Sequence, residues 1–276
     1  MIETRHIVGL DLGQVADYSA LVSLRREQEF PDPVKPQGMK SVAELQQYLA
    51  QPVSHESVPT LPARYYCNIA ERFERGLPPD GYPTLVENVV KLFADPKFAG
   101  QPLVIDGTGV GRPVVDLFRK ANKRTAVVCS KCAGHGKFDP YPNLERELRE
   151  VLCTFCQGSG KVLGGYRLVP VTITGSGANV GLGKVNVDEF GYWHVPKKEL
   201  VGSVQVLLGT GRLEVESELR YAGTLVHELK SFSYKVRDTG SVSLEAWREK
   251  DHDDLVLGLA LAAWYGERAR QELWVR

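Results

Sequence analysis

The sequence lacks a net charge, a membrane-spanning hydrophobic run and the features of a secretion signal. Its 276 residues carry 34 Lys and Arg against 34 Asp and Glu, so nucleic acid could be bound only through a local basic patch. The longest apolar run, at 255–265, is far shorter than the roughly 20 residues that span a bilayer. Residues 1–12 have neither the charged start nor the long apolar core of a signal peptide. We therefore expect a cytoplasmic protein with no membrane partner.

The composition is that of a globular protein. With 43% hydrophobic and 25% charged residues, the chain can bury a core and is neither disordered, collagen-like nor a small disulfide scaffold. Its length suits one large domain, or one domain that carries an insertion.

No phosphate-binding loop of the Walker A type is present. The closest segment, Ala178-x-x-x-x-Gly183-Lys184, has Val185 where a Ser or Thr hydroxyl must hold Mg²⁺. We expect residues 175–183 to form a flexible glycine-rich loop, which would also suit contact with a DNA backbone.

Hydrophobic periodicity predicts alternating strands and helices. Short β-branched apolar runs predict strands at 5–12, 19–24, 64–73 and 103–106, and a strand at 127–128 that resumes at 166–174. The third of these also suits a helix near its end. Apolar residues at helical spacing predict helices at 41–50, 84–94, after Gly111, and at 197–208, 216–232 and 251–270.

Four of the five cysteines form a doubled metal-binding pattern, while Cys67 stands alone. Cys129, Cys132, Cys153 and Cys156 belong to two copies of Cys-x-x-Cys-x-Gly-x-Gly, at 129–136 and 153–160. Two thiolates at this spacing reach one tetrahedral ion, and the trailing glycines allow a sharp turn that brings backbone amides to the sulfurs. We therefore predict a structural Zn²⁺ in a zinc ribbon, inserted at 129–161 into a core formed by 1–128 and 162–276.

The doubled pattern resembles the zinc-binding repeats of DnaJ-type chaperones. That resemblance covers about 32 residues, and the chain has no His-Pro-Asp tripeptide that would indicate a J-domain. Our hypothesis is that the zinc ribbon presents a basic surface to nucleic acid or to a protein partner. The residues of that surface would be Lys131, Lys137, Lys161 and Arg167.

Aspartates stand where predicted strands end and where the last helix begins. Asp11 follows an apolar strand, Asp106 ends another, and Asp253 and Asp254 open the final helix. If Asp11, Asp106 and Asp254 converge within about 4 Å, each pair repels by about 4 kcal/mol at an effective dielectric constant near 20. Divalent cations reverse that sign, and hard carboxylate oxygens favour Mg²⁺ or Mn²⁺. The alternatives are loop amides for a single carboxylate and, for Asp253, stabilisation by the helix dipole.

The order of these segments resembles the C-terminal nuclease domain of phage terminase large subunits. The segments are GLDLG at 9–13, LVIDGTGVGRPVVDLF at 103–118, VPVTITG at 169–175 and HDDLVLGLALAAW at 252–264. The resemblance implies an α/β, RNase H-like mixed sheet flanked by helices and interrupted by the zinc ribbon. It implies two catalytic Mg²⁺ or Mn²⁺ ions, with Asp11, Asp106 and Asp254 as ligands and Asp253 as a fourth.

The same resemblance implies a function and a set of partners. Nucleases of this family cut concatemeric double-stranded phage DNA during packaging, in the cytoplasm of a bacterial host. The implied partners are a packaging ATPase domain or chain, the small terminase subunit and the portal. Two departures are the missing ATPase segment and the zinc ribbon, which the family does not generally carry.

Three other functions remain open from the sequence. GLDLG at 9–13 followed by IDGTGVG at 105–111 also resembles the phosphate loops of the actin and sugar-kinase superfamily. A Holliday-junction resolvase has the same fold as the nuclease, but carries two acids three residues apart in its last helix, where this chain has Leu257. A non-enzymatic DNA-binding scaffold with a zinc module is the third.

Two further segments have the residue types of a nucleic-acid contact. Basic residues cluster in or after the helix that follows Asp106, where a solvated helix end is the alternative. Tyr192-Trp193-His194 could stack on bases or bind phosphates with neighbouring lysines, or could be a turn that packs on itself. The basic residues concerned are Arg119, Lys120, Lys123 and Arg124 for the first segment, and Lys184, Lys197 and Lys198 for the second.

Overall fold

The computed structural model describes residues 2–13, 17–29, 61–73, 81–109, 111–122, 126–129, 132–138, 151–153, 156, 158–174, 185–239 and 253–272. The helix predicted at 41–50 and the glycine-rich loop predicted at 175–183 lie outside the described residues. So do four basic residues of the predicted contacts, namely Lys123, Arg124, Lys131 and Lys184.

The described chain contains both strands and helices, interspersed along its length. The strands are β1 (Ile2–Asp11), β2 (Ala20–Glu29), β3 (Arg64–Arg72), β4 (Pro102–Asp106), β5 (Ala126–Val128), β6 (Lys137–Phe138), β7 (Val151–Leu152), β8 (Lys161–Leu163), β9 (Arg167–Thr174), β10 (Asn186–Val187), β11 (Trp193–Pro196) and β12 (Leu213–Val215). The helices are α1 (Tyr82–Leu92), α2 (Gly111–Ala121), α3 (Lys197–Gly209), α4 (Ala222–Thr239) and α5 (Asp254–Glu272).

Eight of the strands described above form one mixed sheet in the order β10-β11-β9-β4-β1-β2-β3-β12. The first three strands of the chain are consecutive antiparallel neighbours. On the other side of β1, the strands β4, β9 and β11 run parallel to it. The carboxyl ends of β1, β4 and β9 therefore meet at one edge of the sheet.

Helices cover both faces of this sheet. Because successive side chains of a strand point to opposite faces, alternate residues of β1 enter different cores. Ile7 packs with α3, α4 and α5. Val8 and Leu10 pack with α1 and α2. Gly9 and Asp11, two and four residues after Ile7, therefore lie on the α5 face.

The two helices on the opposite face follow directly from local sequence. In α1, Pro83 lies in the first turn, where its missing N–H is not needed, and Leu85, Val86 and Val89 are buried. In α2, the buried residues Val114, Val115 and Phe118 form one apolar stripe. Both helices pack in the same hydrophobic cluster, and α2 follows β4 within a few residues.

Most predicted elements in the described residues are confirmed, and two predictions are wrong: the helix start at 216 and the resumption of the strand at 127–128 in β9. The segment 64–73 is a strand and not a helix, because it pairs with β2 and β12. The helix predicted from residue 216 begins only at Ala222, since Leu213–Val215 forms the edge strand β12. The strand at 127–128 does not resume in β9, because β5 pairs with β8 in a separate two-stranded sheet.

The segment with the four cysteines, predicted at 129–161 and called the cysteine unit below, lies between α2 and β9 in the chain. Besides β5 and β8, its described residues include a second small sheet, in which β6 and β7 pair antiparallel. Among all the helices of the described ranges, none has the length and apolarity needed to cross a membrane.

Candidate functional site

Two aspartates and an arginine lie in one row across four neighbouring strands, at the edge of the sheet where β1 and β4 end. Asp11 and Asp106 come one residue after Leu10 and Ile105, which are register partners in the parallel pair of β1 and β4. Asp11 lies opposite Ala20 of β2, and Ala20 lies opposite Arg72 of β3. Register partners point to the same face of a sheet, so this row faces α5.

The packing of α5 brings its first residue to the same edge. A Cβ atom on Gly9 would lie 2.0 Å from the carbonyl oxygen of Gly258, and one on Gly266 would lie 2.8 Å from the side chain of Ile7. As β1 advances from Ile7 to Gly9, the contacts on α5 move back from Gly266 to Gly258, so the two elements run antiparallel. One further helical turn before Gly258 is Asp254, which the helix therefore carries toward Asp11.

The predicted aspartates are buried despite their charge. Asp11, Asp106 and Asp254 are each 8% exposed. One oxygen of Asp106, Oδ1, accepts a hydrogen bond of 2.8 Å from the N–H of Thr108. Asp253 immediately precedes α5, and its carbonyl oxygen accepts the 2.9 Å hydrogen bond from the N–H of Leu257 that opens the helix. Burial of several carboxylates at one edge requires compensating donors or cations.

The glycine turn after Asp106 fixes that carboxylate. The Thr108 hydroxyl accepts a hydrogen bond from Ile173 N–H at 2.9 Å, which ties the turn to β9. Gly107 N–H donates to Val171 O at 2.6 Å, and Gly109 has a φ of 65° that favours glycine. A Cβ on Gly111 would lie 2.6 Å from the carbonyl oxygen of Asp106, so α2 begins in direct contact with the strand end.

Two residues that the sequence analysis missed complete this edge. Arg72 forms an ion pair with Glu228 of α4, and its Nη2 atom lies 3.5 Å from Asp254 Oδ2. Glu228 is 5% exposed and its Oε2 accepts a 3.1 Å hydrogen bond from the N–H of Val256 in the first turn of α5. Burial raises the pKa of Glu228 to about 7, against the lowering effect of Arg72 and the Val256 N–H; the carboxylates of Asp254 and Asp253 raise it further.

The signal for Glu228 was present in the sequence. Leu225 and Leu229 belong to the predicted amphipathic helix and are buried, and Glu228 occupies the same stripe. A carboxylate on the buried stripe of a helix needs a compensating cation or donor, just as an aspartate at the end of a buried strand does. Arg72 ends a strand whose neighbours the sequence alone does not identify.

The four cysteines of the doubled pattern meet around one point. The Sγ atoms of Cys129 and Cys153 are 3.8 Å apart, those of Cys132 and Cys156 are 3.6 Å apart, and all four lie within 4.8 Å of one another. A disulfide would need about 2.05 Å. A tetrahedron with metal–sulfur bonds of about 2.3 Å has edges of about 3.8 Å, so the sulfur positions fit a zinc ion.

The described residues of the two copies of the cysteine pattern make matching backbone contacts. Cys132 Sγ accepts the N–H of Gly136 at 3.2 Å, and Cys156 Sγ accepts the N–H of Gly160 at 3.3 Å. Both glycines have a positive φ, of 72° and 71°. Burial alone would raise the pKa of Cys156, but the Gly160 N–H and the neighbouring thiols lower that pKa to about 7. The predicted role of the glycines is confirmed.

In the part of the chain that the structure describes, these cysteines are the one group of three or more possible ligands close enough together to hold an ion. The carboxylates of Asp11, Asp106, Asp253 and Asp254 do not form such a group. At this edge Arg72 contacts Asp254, and the Thr108 N–H donates to Asp106.

The aromatic segment 192–194 is a packing unit. Tyr192 is 3% exposed and its ring lies beneath the guanidinium groups of Arg112 and Arg119, at 5.4 and 5.3 Å. Trp193 contacts Trp264 edge to face, with ring centroids 5.9 Å apart. The predicted basic helix end and the aromatic segment therefore lie together beside Asp106, but the Tyr192 ring is unavailable for base stacking.

The geometry described above is the evidence for the fold, for the aspartates at the edge of the sheet and for the cysteine cluster. No family model, curated protein or solved structure matches the chain.

Proposed function

We propose that the chain is a divalent-metal-dependent DNA endonuclease of the kind found in phage terminase large subunits. One observation carries the proposal. Asp11 and Asp106 end neighbouring parallel strands on one face of the sheet, and the antiparallel packing of α5 on β1 brings Asp254 to the same end. Three buried carboxylates that distant parts of a chain bring to one edge of a sheet are of the ligand type that hard divalent cations prefer.

The sheet supports an RNase H-like core for this nuclease. Three antiparallel strands open the chain, and β4 and β9 then add in parallel on the other side of β1. Helices cover both faces, and the last helix lies across β1. A mixed sheet flanked by helices supports the RNase H-like core that the terminase resemblance implies.

In this proposal Asp11, Asp106 and Asp254 hold Mg²⁺ or Mn²⁺, with Asp253 beside them. A pair of such ions, when bound, activates a water molecule and stabilises the leaving oxygen of a phosphodiester. The protein supplies the placement of the ligands. The Thr108 N–H orients Asp106, the α5 helix carries Asp254, and burial to 8% exposure strengthens every charge interaction at the edge.

Double-stranded DNA is the substrate that this site would take. Arg112 and Arg119 are exposed on α2 and stand over Tyr192, whose ring lies 2.9 Å from a Cβ placed on Gly107. Positive charge next to Asp106 suits the backbone of a duplex. By the terminase resemblance, we further propose a packaging ATPase, a small terminase subunit and a portal as partners.

The cysteine unit would hold a structural zinc ion. Four sulfur ligands leave no open coordination position, so this ion would organise a segment that is too small to have its own core. Lys137 and Lys161 are exposed in the unit and, with Arg167 nearby in the chain, could present positive charge to DNA or to a partner.

A plasmid assay tests the proposed function. Supercoiled DNA is incubated with the protein and Mn²⁺ or Mg²⁺, and relaxed and linear products are counted for wild type, Asp11→Asn and Asp254→Asn. Asp95→Asn is the matched control, because Asp95 is exposed and remote from the site. We expect metal-dependent cutting by wild type and the control only. Cutting that survives both site substitutions would overturn the assignment.

A further inference from the structure

The largely buried guanidinium of Arg72 contacts two carboxylates near the start of α5. The Arg72 guanidinium pairs with Glu228 and also lies 3.5 Å from Asp254. The three side chains are at most 13% exposed, so their interaction is weakly screened by solvent. The shorter of the two contacts is the one to Glu228.

Glu228 is itself held in place by the helix that carries Asp254. Its Oε1 atom takes the pair with Arg72, while Oε2 accepts the N–H of Val256 at 3.1 Å. Val256 lies two residues after Asp254, in the first turn of α5. The position of Glu228 is therefore fixed relative to Asp254, and the position of the guanidinium is fixed through Glu228.

We propose that Glu228 is a positioning residue that shares the Arg72 guanidinium with Asp254, so that Arg72 does not pair fully with Asp254 and Asp254 can serve as a cation ligand. This inference rests on the proposed function, because it takes Asp254 as part of the metal site. A guanidinium held wholly by Asp254 would compete with a divalent cation for the same oxygens. Glu228 limits this competition by offering a second buried carboxylate, which shares the guanidinium with Asp254.

If Glu228 has this positioning role, removing its charge should weaken Mn²⁺ binding, and removing the charge of Arg72 should strengthen it. Glu228→Gln keeps an oxygen for the Val256 N–H but removes the charge that holds Arg72. The guanidinium then pairs with the carboxylate that it already approaches, that of Asp254, and Mn²⁺ binding weakens. Arg72→Gln removes the competing cation, so adding it to Glu228→Gln restores Mn²⁺ binding. A purely structural role for the pair would make the double variant worse than either single variant.

Calorimetric titration of the full chain with Mn²⁺ at about pH 8, above the pKa of Glu228, tests this. We expect about tenfold weaker binding for Glu228→Gln, and binding within about threefold of wild type for Arg72→Gln/Glu228→Gln. Glu267→Gln is the matched control, because Glu267 is a carboxylate of α5 paired with Arg212 at the other end of the helix. It should bind Mn²⁺ as wild type does, and thermal melting verifies that each variant is folded.

The outcomes separate this inference from the proposed function. If wild type binds no Mn²⁺, the proposed metal site fails and the role of Glu228 fails with it. If wild type binds Mn²⁺ and Glu228→Gln binds it equally well, only the role of Glu228 is overturned. A double variant that binds no better than Glu228→Gln alone would also overturn it.

Discussion

Gly9 of β1 and Gly258 of α5 are in direct backbone contact. A Cβ atom on Gly9 would lie 2.0 Å from the Gly258 carbonyl oxygen and 3.0 Å from the Ala262 nitrogen. A Cβ on Gly258 would meet only ordinary contacts, the nearest being Ala20 O at 3.4 Å. Gly9 is the residue that makes this close approach possible, because its missing Cβ leaves room for the Gly258 carbonyl oxygen. This contact sets how far Asp254 stands from Asp11.

Gly9→Ala should destabilise the protein and disable the proposed site. The added methyl group has backbone on its far side, so α5 must move away from β1, which costs about 1–3 kcal/mol as overpacking does. Thermal melting gives the loss of stability, and plasmid cutting in Mn²⁺ gives the loss of activity below the melting temperature.

Gly258→Ala is the matched substitution at the partner residue. It adds the same methyl group at 3.4 Å from its nearest neighbour and gains up to about 1 kcal/mol of helix propensity. We expect unchanged or slightly higher stability. Equal destabilisation by the two substitutions would contradict the described packing of α5 on β1.

Zinc content should depend on the cysteine unit and on nothing else in the chain. Elemental analysis of the purified protein should find about one zinc ion per chain, because four thiolates fill one tetrahedral site. Cys132→Ser should lose that zinc. Cys67→Ala should keep it, since Cys67 lies in β3, outside the cysteine cluster, and donates to the carbonyl oxygen of Ile69. Zinc retained by Cys132→Ser would show that the ion binds elsewhere.

The ion pair between Arg212 and Glu267 should make stability depend on pH. The guanidinium contacts both carboxylate oxygens, at 3.0 and 2.9 Å, and the Tyr65 hydroxyl donates to Glu267 at 2.8 Å. Burial alone would raise the pKa of Glu267, but these hydrogen bonds lower it. A lowered pKa stabilises the folded state above the ordinary glutamate value of about 4.3, and this stabilisation is lost as the pH falls below it.

The variant Glu267→Gln isolates that dependence. At neutral pH it should be less stable than wild type by about 1.5–3 kcal/mol, the usual value of hydrogen bonds to a charged group. Denaturant unfolding at several pH values should show this difference shrinking between about pH 5 and about pH 3. A difference that stays constant or grows on acidification would contradict the assigned pair.

The sequence predicts the chemistry-bearing residues of single segments better than the contacts between segments. Asp11 and Asp106 are candidate ligands because each ends an apolar strand, and the cysteines are candidates because their spacing repeats with its glycines. Both signals are local. The parallel pairing of β1 with β4 brings the first two together, and the fold shows it directly.

The features that the sequence did not predict depend on contacts between residues far apart in the chain. Arg72 and Glu228 are 156 residues apart, and neither has a local pattern that names the other as partner. The edge strand β12 is three residues long and exists because β3 offers it hydrogen bonds. Pairing of β5 with β8 likewise depends on the fold of the cysteine unit between them, which hydrophobic periodicity does not describe.

The central claim is that Asp11, Asp106 and Asp254 share divalent cations at one edge of the sheet. Crystals of the protein soaked in Mn²⁺ test it most directly, through an anomalous difference map collected at the manganese edge. The account predicts strong peaks between these three carboxylates, separate from the cysteine unit. A map with no peak there, with Arg72 still against Asp254 at saturating Mn²⁺, would contradict it.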